Sequence, residues 1–391
     1  MPASKRKLFL LLAVVSALGP LAMQIMMPAL PTIQQHFNVS VAQAQLAFSV
    51  FVFTLGPALL VYGPLSDRYG RRPVLAVGIG IYCVGTLVCL LSPSLSWLVA
   101  GRALQAAGAA GGMVITRALL SDLFGPEGMA AALSWTTMGM VIAPMLAPSL
   151  GGVLVDSAGW RSIFLVLLAA GAIVLYFTLR YLPDPPAPAA NHNTHWLEKY
   201  RLVLTRRSFY PYAMQGMLMI GMFYGFMAGA PYLMVNVLGR PATEYGLFFI
   251  LPAAGYLLGS YLSARLAGRL GVRRMILLGA LLALVFSIPL VVVTGMGLWL
   301  PLAFFLPMSL ITIANGLSVP STQTGAISAV PEATGTASSM IGFMQQAAGA
   351  VVIQVVGLLQ NDTPWPMVSV VFASALFAAL GALLLQRRPA T

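Results

Sequence analysis

Charge is what this chain has least of. Of 391 residues, 21 are basic and 9 acidic, so 30 carry a formal charge, whereas a soluble domain devotes about a quarter of its residues to charge. Too few charges to solvate a surface exclude soluble enzymes and nucleic-acid-binding domains. Cysteine and histidine are nearly absent. Cys83 and Cys89 lie in one apolar run, and His36, His192 and His195 fall in connections with no thiol or carboxylate at ligand spacing, so neither a disulfide, a metal site nor a cofactor is expected. Acids at membrane depth are missing too. Asp67, Asp122, Glu127, Asp156, Asp184, Glu198, Glu244, Glu332 and Asp362 all fall in connections or at the ends of apolar runs. A membrane-embedded enzyme would need a nucleophile, metal ligands or paired acids at that depth, and none is found.

What the chain has is hydrophobic length, with 59% of its residues apolar. A helix needs about 20 residues to cross about 30 Å of hydrocarbon. Cutting the apolar runs at charged, proline-rich and glycine-rich breaks predicts twelve spans, over 8–30, 42–62, 74–92, 96–118, 129–154, 160–182, 209–236, 244–265, 275–295, 298–320, 333–359 and 365–386. Lys5-Arg6-Lys7 before the first run resembles a signal peptide, but the run is long enough to span and is read as a retained first helix. Twelve spans put both termini on one side. That side holds Lys5, Arg6, Lys7, Arg68, Arg71, Arg72, Arg180, Lys199, Arg201, Arg206, Arg207, Arg265, Arg269, Arg273, Arg274, Arg387 and Arg388, against Arg161 and Arg240 opposite. The excess predicts cytoplasmic termini and makes the net charge of +12 a matter of topology.

One long connection divides the spans six and six. It opens with Pro183-Asp184-Pro185-Pro186-Ala187-Pro188 and stays polar to Arg207, as a linker does. The expected organisation is an N-terminal six-helix bundle over 1–182, a cytoplasmic linker over 183–208 and a C-terminal bundle over 209–391. An internal repeat supports the cut, because Asp67-Arg68-Tyr69-Gly70-Arg71-Arg72 has a counterpart in Gly268-Arg269-Leu270-Gly271-Val272-Arg273-Arg274. Repeated halves with a site between them near the bilayer midplane are a transporter architecture.

The connection after the second span reads Gly63-Pro64-Leu65-Ser66-Asp67-Arg68-Tyr69-Gly70-Arg71-Arg72. Through this run the chain resembles the major facilitator superfamily, and over its whole length the twelve-helix drug:proton antiporters of the Bcr/CflA multidrug efflux type. The resemblance implies an all-α integral membrane fold of two pseudo-symmetric six-helix bundles. It also implies that Asp67 faces the start of the eleventh span near Gly335-Thr336, and that Arg71 pairs with Asp122 at the end of the fourth. A second stretch, Gly139, Ala143-Pro144, Ala147-Pro148 and Gly151-Gly152, is similar to the antiporter motif of the fifth span. Ala143, Ala147 and Gly151 share a face that admits a close neighbour, and the prolines remove backbone donors. A third, Arg102 through Gly108, resembles the family's membrane-embedded arginine motif. A guanidinium at mid-membrane costs at least about 2.5–3.5 kcal/mol, so Arg102 should face the interior and have a polar partner or a function. Arg117, fifteen residues on, either shares that side or snorkels to the headgroups.

The first span departs from the family. Gln24 stands where an acid is usual, four residues before Pro28, and an amide carries no proton. Coupling candidates are then Arg102, Arg117, Asp122 and Asp156, or a proton borne by the substrate. Candidates for the cavity are Gln24, Met27, Arg102, Gln105, Tyr224, Phe226, Asn315, Gln345 and Gln346, with Phe223 and Met344 beside them. Amides, phenols, methionine and aromatics suit amphipathic, mostly uncharged solutes. The resemblance implies export of amphenicols, bicyclomycin and sulfonamides across a bacterial inner membrane in exchange for protons, by a monomer. The alternative is an exporter or permease of a small metabolite such as a sugar or amino acid, whose site would hold a denser set of polar groups.

Overall fold

The computed structural model describes residues 3–183 and 196–386, with side chains described except at 3–7, 121–142 and 196–197. Asp122, expected to pair with Arg71 and to serve coupling, lies outside the described side chains, as do Glu127 and Gly139. Among the described residues every regular element is helical: α1 Ala3–Gln24, α2 Leu30–Phe37, α3 Val41–Tyr69, α4 Arg71–Leu90, α5 Leu95–Ala158, α6 Arg161–Tyr181, α7 Trp196–Thr205, α8 Phe209–Tyr232, α9 Ala242–Gly295, α10 Pro301–Ser328, α11 Thr334–Leu359 and α12 Trp365–Gln386.

Twelve crossings are reached through fewer continuous segments than the sequence suggests. Ten segments are long and apolar enough to span, with α1 and α2 joined into one over Leu8–Phe37. One of them, α9, is two spans, because Gly271 at φ 75°, ψ 164° interrupts its helical backbone. The remaining span lies in α5 beyond Leu120. A straight helix of 64 residues would reach roughly 96 Å at about 1.5 Å per residue, yet Arg161, just past its end, donates a 3.0 Å hydrogen bond to the carbonyl of Ser92, just before its start. Its two ends therefore meet, and α5 doubles back. The connection expected between 118 and 129 is helical rather than open.

The repeat is written in the backbone. Gly70 takes φ 91°, ψ 152° and Gly271 φ 75°, ψ 164°, a left-handed conformation that glycine adopts without a Cβ penalty. Both turns lie at the end of the bundle that carries the termini, here called the near end. Breaks also recur at matching places in the two halves. The first span gives way after Gln24 to a short 3-10 turn, Met27–Ala29, around Pro28. Its counterpart α8 passes beyond Pro231 into a π-helical turn, Leu233–Val237.

One continuous buried cluster runs through both halves, from Leu12 and Ile25 through Phe48 to Phe226 and Phe305. The connection between halves is not purely polar. It contains α7, whose Val203 is buried with Phe209, Ala337 and Ile341, and Arg206 closes a 2.6 Å ion pair with Glu332.

Among the described residues, direct hydrogen bonds between the halves gather at the end away from the termini, the far end. Gln45 donates to the Ala228 carbonyl at 2.7 Å and Gln354 to the Ala42 carbonyl at 2.9 Å. Ser149 donates to Gly246 O at 2.8 Å. Asp156, at the end of α5, accepts from the Ala242 and Thr243 amides at 3.3 and 2.7 Å and from the Thr243 hydroxyl at 2.6 Å. Those amides are unpaired donors at the start of α9, where a carboxylate is favoured by about 0.3–1 kcal/mol.

Candidate functional site

The break in the first span places Gln24 on the wall of a cavity shared by both halves. The cavity has a volume of about 220 Å³ and is lined by Pro20, Met23 and Gln24 of α1, Pro144 and Met145 of α5, and Ile220 and Phe223 of α8. Phe249, Ala253 and Tyr256 of α9 and Asn315 and Val319 of α10 complete it. Asn315 lies halfway along α10, while Pro20, Met23 and Gln24 close α1 just before the break in the first span. A shallower depression of about 550 Å³ lies at the surface near Leu270–Arg274 and Gln386, wholly within the C-terminal half.

The wall is apolar except for a few groups. The Phe223 and Phe249 rings stand 6.2 Å apart. Gln24 and Asn315 are 6% and 2% exposed. Gln24 Oε1 and both amide atoms of Asn315 have no hydrogen-bond partner within the protein. A buried polar group left unpaired costs about 1–3 kcal/mol.

Of the residues expected to line the cavity, Gln24 and Asn315 do so, and the others are used elsewhere. Arg102 is fully buried beside the cavity wall rather than in it. Its Nη1 donates to the Ala22 carbonyl at 3.1 Å and to Gln105 Oε1 at 2.5 Å, and its Nε to the Ala47 carbonyl at 3.1 Å. Ala22 lies in the last turn of α1, where carbonyls lose their intrahelical partners, so the break at Gln24 frees the acceptor that Arg102 takes. The guanidinium also stacks on Phe51, 4.0 Å from the ring centre. Gln105 passes the network on to Thr86 Oγ1 at 2.8 Å. This is the polar partnership expected of Arg102, built from carbonyls and an amide rather than a carboxylate.

Tyr224 donates at 2.9 Å to Gln346, and its hydroxyl lies 3.8 Å from the Met23 sulfur across the interface. This contact sits against the cavity, since Met23 lines it. Phe226 instead turns into the C-terminal core, edge-on to Phe305 at 5.1 Å, and its neighbour Phe223 takes the cavity position. Met27 is buried in the 3-10 turn, and Gln345 packs beside Gly216 of α8. Arg117 is exposed while Arg102 is buried, so the 60° between them separates the two environments and Arg117 does not share the interior. Phe249, Ala253, Tyr256 and Val319 were not expected, because nothing in an apolar run marks which residue meets the other half.

The motif residues take up two different states of contact. Asp67 pairs with Arg71, one turn away, and its side chain is 60% exposed. Arg71 also donates to Ser66 Oγ at 2.7 Å. The start of α11 is not among the partners of Asp67, and a Cβ built on Gly335 would meet nothing, so the expected approach of Asp67 to that helix is not made here. Arg72 reaches the Leu179 carbonyl at 2.5 Å, while Arg68 leans on the Tyr69 ring. The small face of α5 is fully engaged. A Cβ on Gly151 would lie 2.0 Å from the Ile25 carbonyl and one on Gly152 2.4 Å from the Ala242 carbonyl, so these two glycines let α5 touch the first span and α9 together. Ala147 and Pro148 are buried on the same stretch, with Ala143 and Pro144 partly so.

Comparison with known proteins agrees with this architecture. The family model described as Major Facilitator Superfamily matches residues 12–353. The chain is similar to Multidrug resistance protein D of Escherichia coli strain K12, 30% identical over 90% of this chain and 89% of that protein. It is also similar to the Bicyclomycin resistance protein homolog of Haemophilus influenzae, at 24% identity over 95% and 94%. Among solved structures, a bacterial homologue of the human lysosomal transporter Spinster, inward-facing and occupied, superposes with a TM-score of 0.77 at 16% identity, covering 99% of this chain and 98% of that one. With a family model covering most of its length and the twelve-span, two-bundle fold in place, this chain belongs to the Major Facilitator Superfamily of membrane transporters.

Proposed function

We propose that this transporter exports amphipathic, mostly uncharged antibiotics of the amphenicol, bicyclomycin and sulfonamide kinds across a bacterial inner membrane, in exchange for protons. The observation that carries the reading is the position of the cavity: both halves build it, and the contacts joining them gather at one end. Rocking 1–182 against 209–391 about the cavity, with 183–208 as the cytoplasmic linker, exposes it alternately to either side. With the termini in the cytoplasm, the far end is periplasmic. The structure then corresponds to an inward-facing state, its outer end held by Asp156 on α9, Gln45 and Gln354, with Asp67 withdrawn from α11. In the opposite state Asp67 takes the α11 N-terminus while Asp156 releases α9.

The wall supports a neutral solute, since Phe223, Phe249, Met23 and Met145 offer adaptable apolar surface and no carboxylate lines it. The relatives' names, which speak of multidrug and bicyclomycin resistance, support the same substrate class. Asp156 serves better as an outer latch than as a proton carrier. A carrier must be reached from both sides, and Asp156 sits at one end.

The test is internal pH in proteoliposomes on addition of chloramphenicol, with Asp67→Asn as control. Drug-dependent proton movement that the variant lacks is expected; drug movement without protons overturns antiport. One observation favours the metabolite alternative: about 220 Å³ is below the roughly 300–1,000 Å³ of drug-sized pockets. Exchange of labelled sugars or amino acids, with no effect of the antibiotic, would put that reading first.

A further inference from the structure

The second half of the chain repeats the Gly70 turn without its acid. Gly271 takes the same left-handed backbone as Gly70, and aligning the two glycines sets Gly268 against Asp67. In the first half the Asp67 carboxylate pairs with Arg71. In the second, the stretch between Glu244 and Glu332 holds four cations, Arg265, Arg269, Arg273 and Arg274, and no acid. Among the described residues neither Arg269 nor Arg274 closes an ion pair.

Two of the four cations line a cavity. The depression of about 550 Å³ at the near end is bounded by Gly271, Arg273 and Arg274 of α9, by Tyr212 of α8 and by Gln386, the last residue of α12. Its walls are tied down. Gln386 donates at 2.7 Å to the Arg273 carbonyl, and the Tyr212 ring is seated on α10, where a Cβ added to Gly325 would lie 2.4 Å from it. Three helices thus converge on a pocket whose charged lining is all of one sign.

The pocket also lies at the depth of lipid headgroups. Tyr261 is exposed, with the Arg265 guanidinium 5.3 Å from its ring centre, and such an aromatic with a cation beside it marks where a span leaves the hydrocarbon. The Gly271 turn follows, between the two spans of α9. Basic pockets between spans on the cytoplasmic side receive anionic headgroups, and guanidinium groups match phosphate oxygens through paired N–H donors. A zwitterionic headgroup would bring its own cation against the arginines.

We propose that this cavity binds the headgroup phosphate of an anionic phospholipid, which supplies the C-terminal turn with the negative charge that Asp67 supplies to the N-terminal one. The site lies apart from the cavity between the halves, so the proposal does not depend on what the transporter carries.

The test mixes purified full-length protein in detergent with equal amounts of phosphatidylglycerol and phosphatidylcholine of the same acyl chains, and counts the bound lipids by native mass spectrometry. Wild-type protein is expected to take its first phosphatidylglycerol with a roughly tenfold preference, falling to about twofold in Arg273→Gln/Arg274→Gln. Gly268→Asp, at a position with open space around an added Cβ, should lower the preference as well by supplying an acid within the chain. Arg180→Gln/Arg207→Gln removes as much charge from elsewhere on the same end and should keep the preference. Equal binding of the two lipids by the wild type overturns the proposal. So does a preference that survives in Arg273→Gln/Arg274→Gln protein eluting as a single species. An equal loss in Arg180→Gln/Arg207→Gln would reduce the effect to net charge and remove the pocket. Inorganic phosphate tests the soluble source: a rise in thermal midpoint that Arg273→Gln/Arg274→Gln lacks, without any lipid preference, overturns the bilayer as the origin of the phosphate.

Discussion

Arg102 shows how a single side chain is held where a charge is expensive. Its guanidinium donates through Nε and Nη1 to two backbone carbonyls and the Gln105 amide oxygen and stacks on the Phe51 ring, while Nη2 is buried with no hydrogen-bond partner among the described residues. A planar fork can meet acceptors on separate helices at once, and a lysine ammonium cannot match that geometry. Arg102→Ala is expected to lower transport at least tenfold and to lower the thermal midpoint in detergent, with Arg102→Lys recovering neither. A fully active lysine variant would mean that charge alone suffices. Tyr224 makes a smaller contribution. Tyr224→Phe loses one hydrogen bond, worth about 0.5–1.5 kcal/mol, and should reduce transport less than tenfold while leaving assembly intact, as uptake and size-exclusion profiles would show. The sequence singled out Arg102, Gln24 and Asn315 because a polar group in an apolar run is conspicuous. It misplaced Phe226 and left Phe249 and Val319 unmarked, because the face an apolar residue turns to the other half depends on contacts far along the chain.

At the scale of elements, two close approaches decide whether the outer end can shut. Gly151 meets the Ile25 carbonyl and Gly152 the Ala242 carbonyl, and any added Cβ overlaps backbone that has no rotamer to move. Gly152→Val is therefore expected to hold α5 away from α9, abolish transport and make a cysteine at Ser149 reactive to a membrane-impermeant thiol reagent. An unreactive cysteine in that background would contradict the packing account. The Asp156 latch is weaker, since it is an exposed carboxylate at a helix N-terminus. Asp156→Asn keeps the shape but loses the charge, and transport should fall severalfold rather than vanish, with Asp156→Ala lower still. The small-residue spacing of 143, 147 and 151 made the close face legible in advance. The latch was not, because Asp156 and Thr243 lie in different halves and neither position is unusual by itself. The break between the fourth and fifth spans was legible at Gly125-Pro126-Glu127-Gly128, but the helical backbone that α5 carries through it was not, because glycine and proline are the poorest helix formers.

For the whole molecule, twelve spans, two halves and the turn repeat at Gly70 and Gly271 follow from hydrophobic length and two glycines. What the sequence does not carry is which end the halves close upon. That asymmetry is a property of one state, since the same residues must close the other end in the other state. The central claim is that the halves rock about a fixed cavity, and distances at the two ends test it most directly. Spin labels at Ser157 and Arg240 report the outer end, and labels at Tyr69 and Ser338 the inner end, all four being exposed positions. Measured in lipid, the account predicts that Asp156→Asn lengthens the outer distance and shortens the inner one, with added chloramphenicol redistributing both in opposite directions. Distances that stay fixed at both ends while the labelled protein still transports would contradict it.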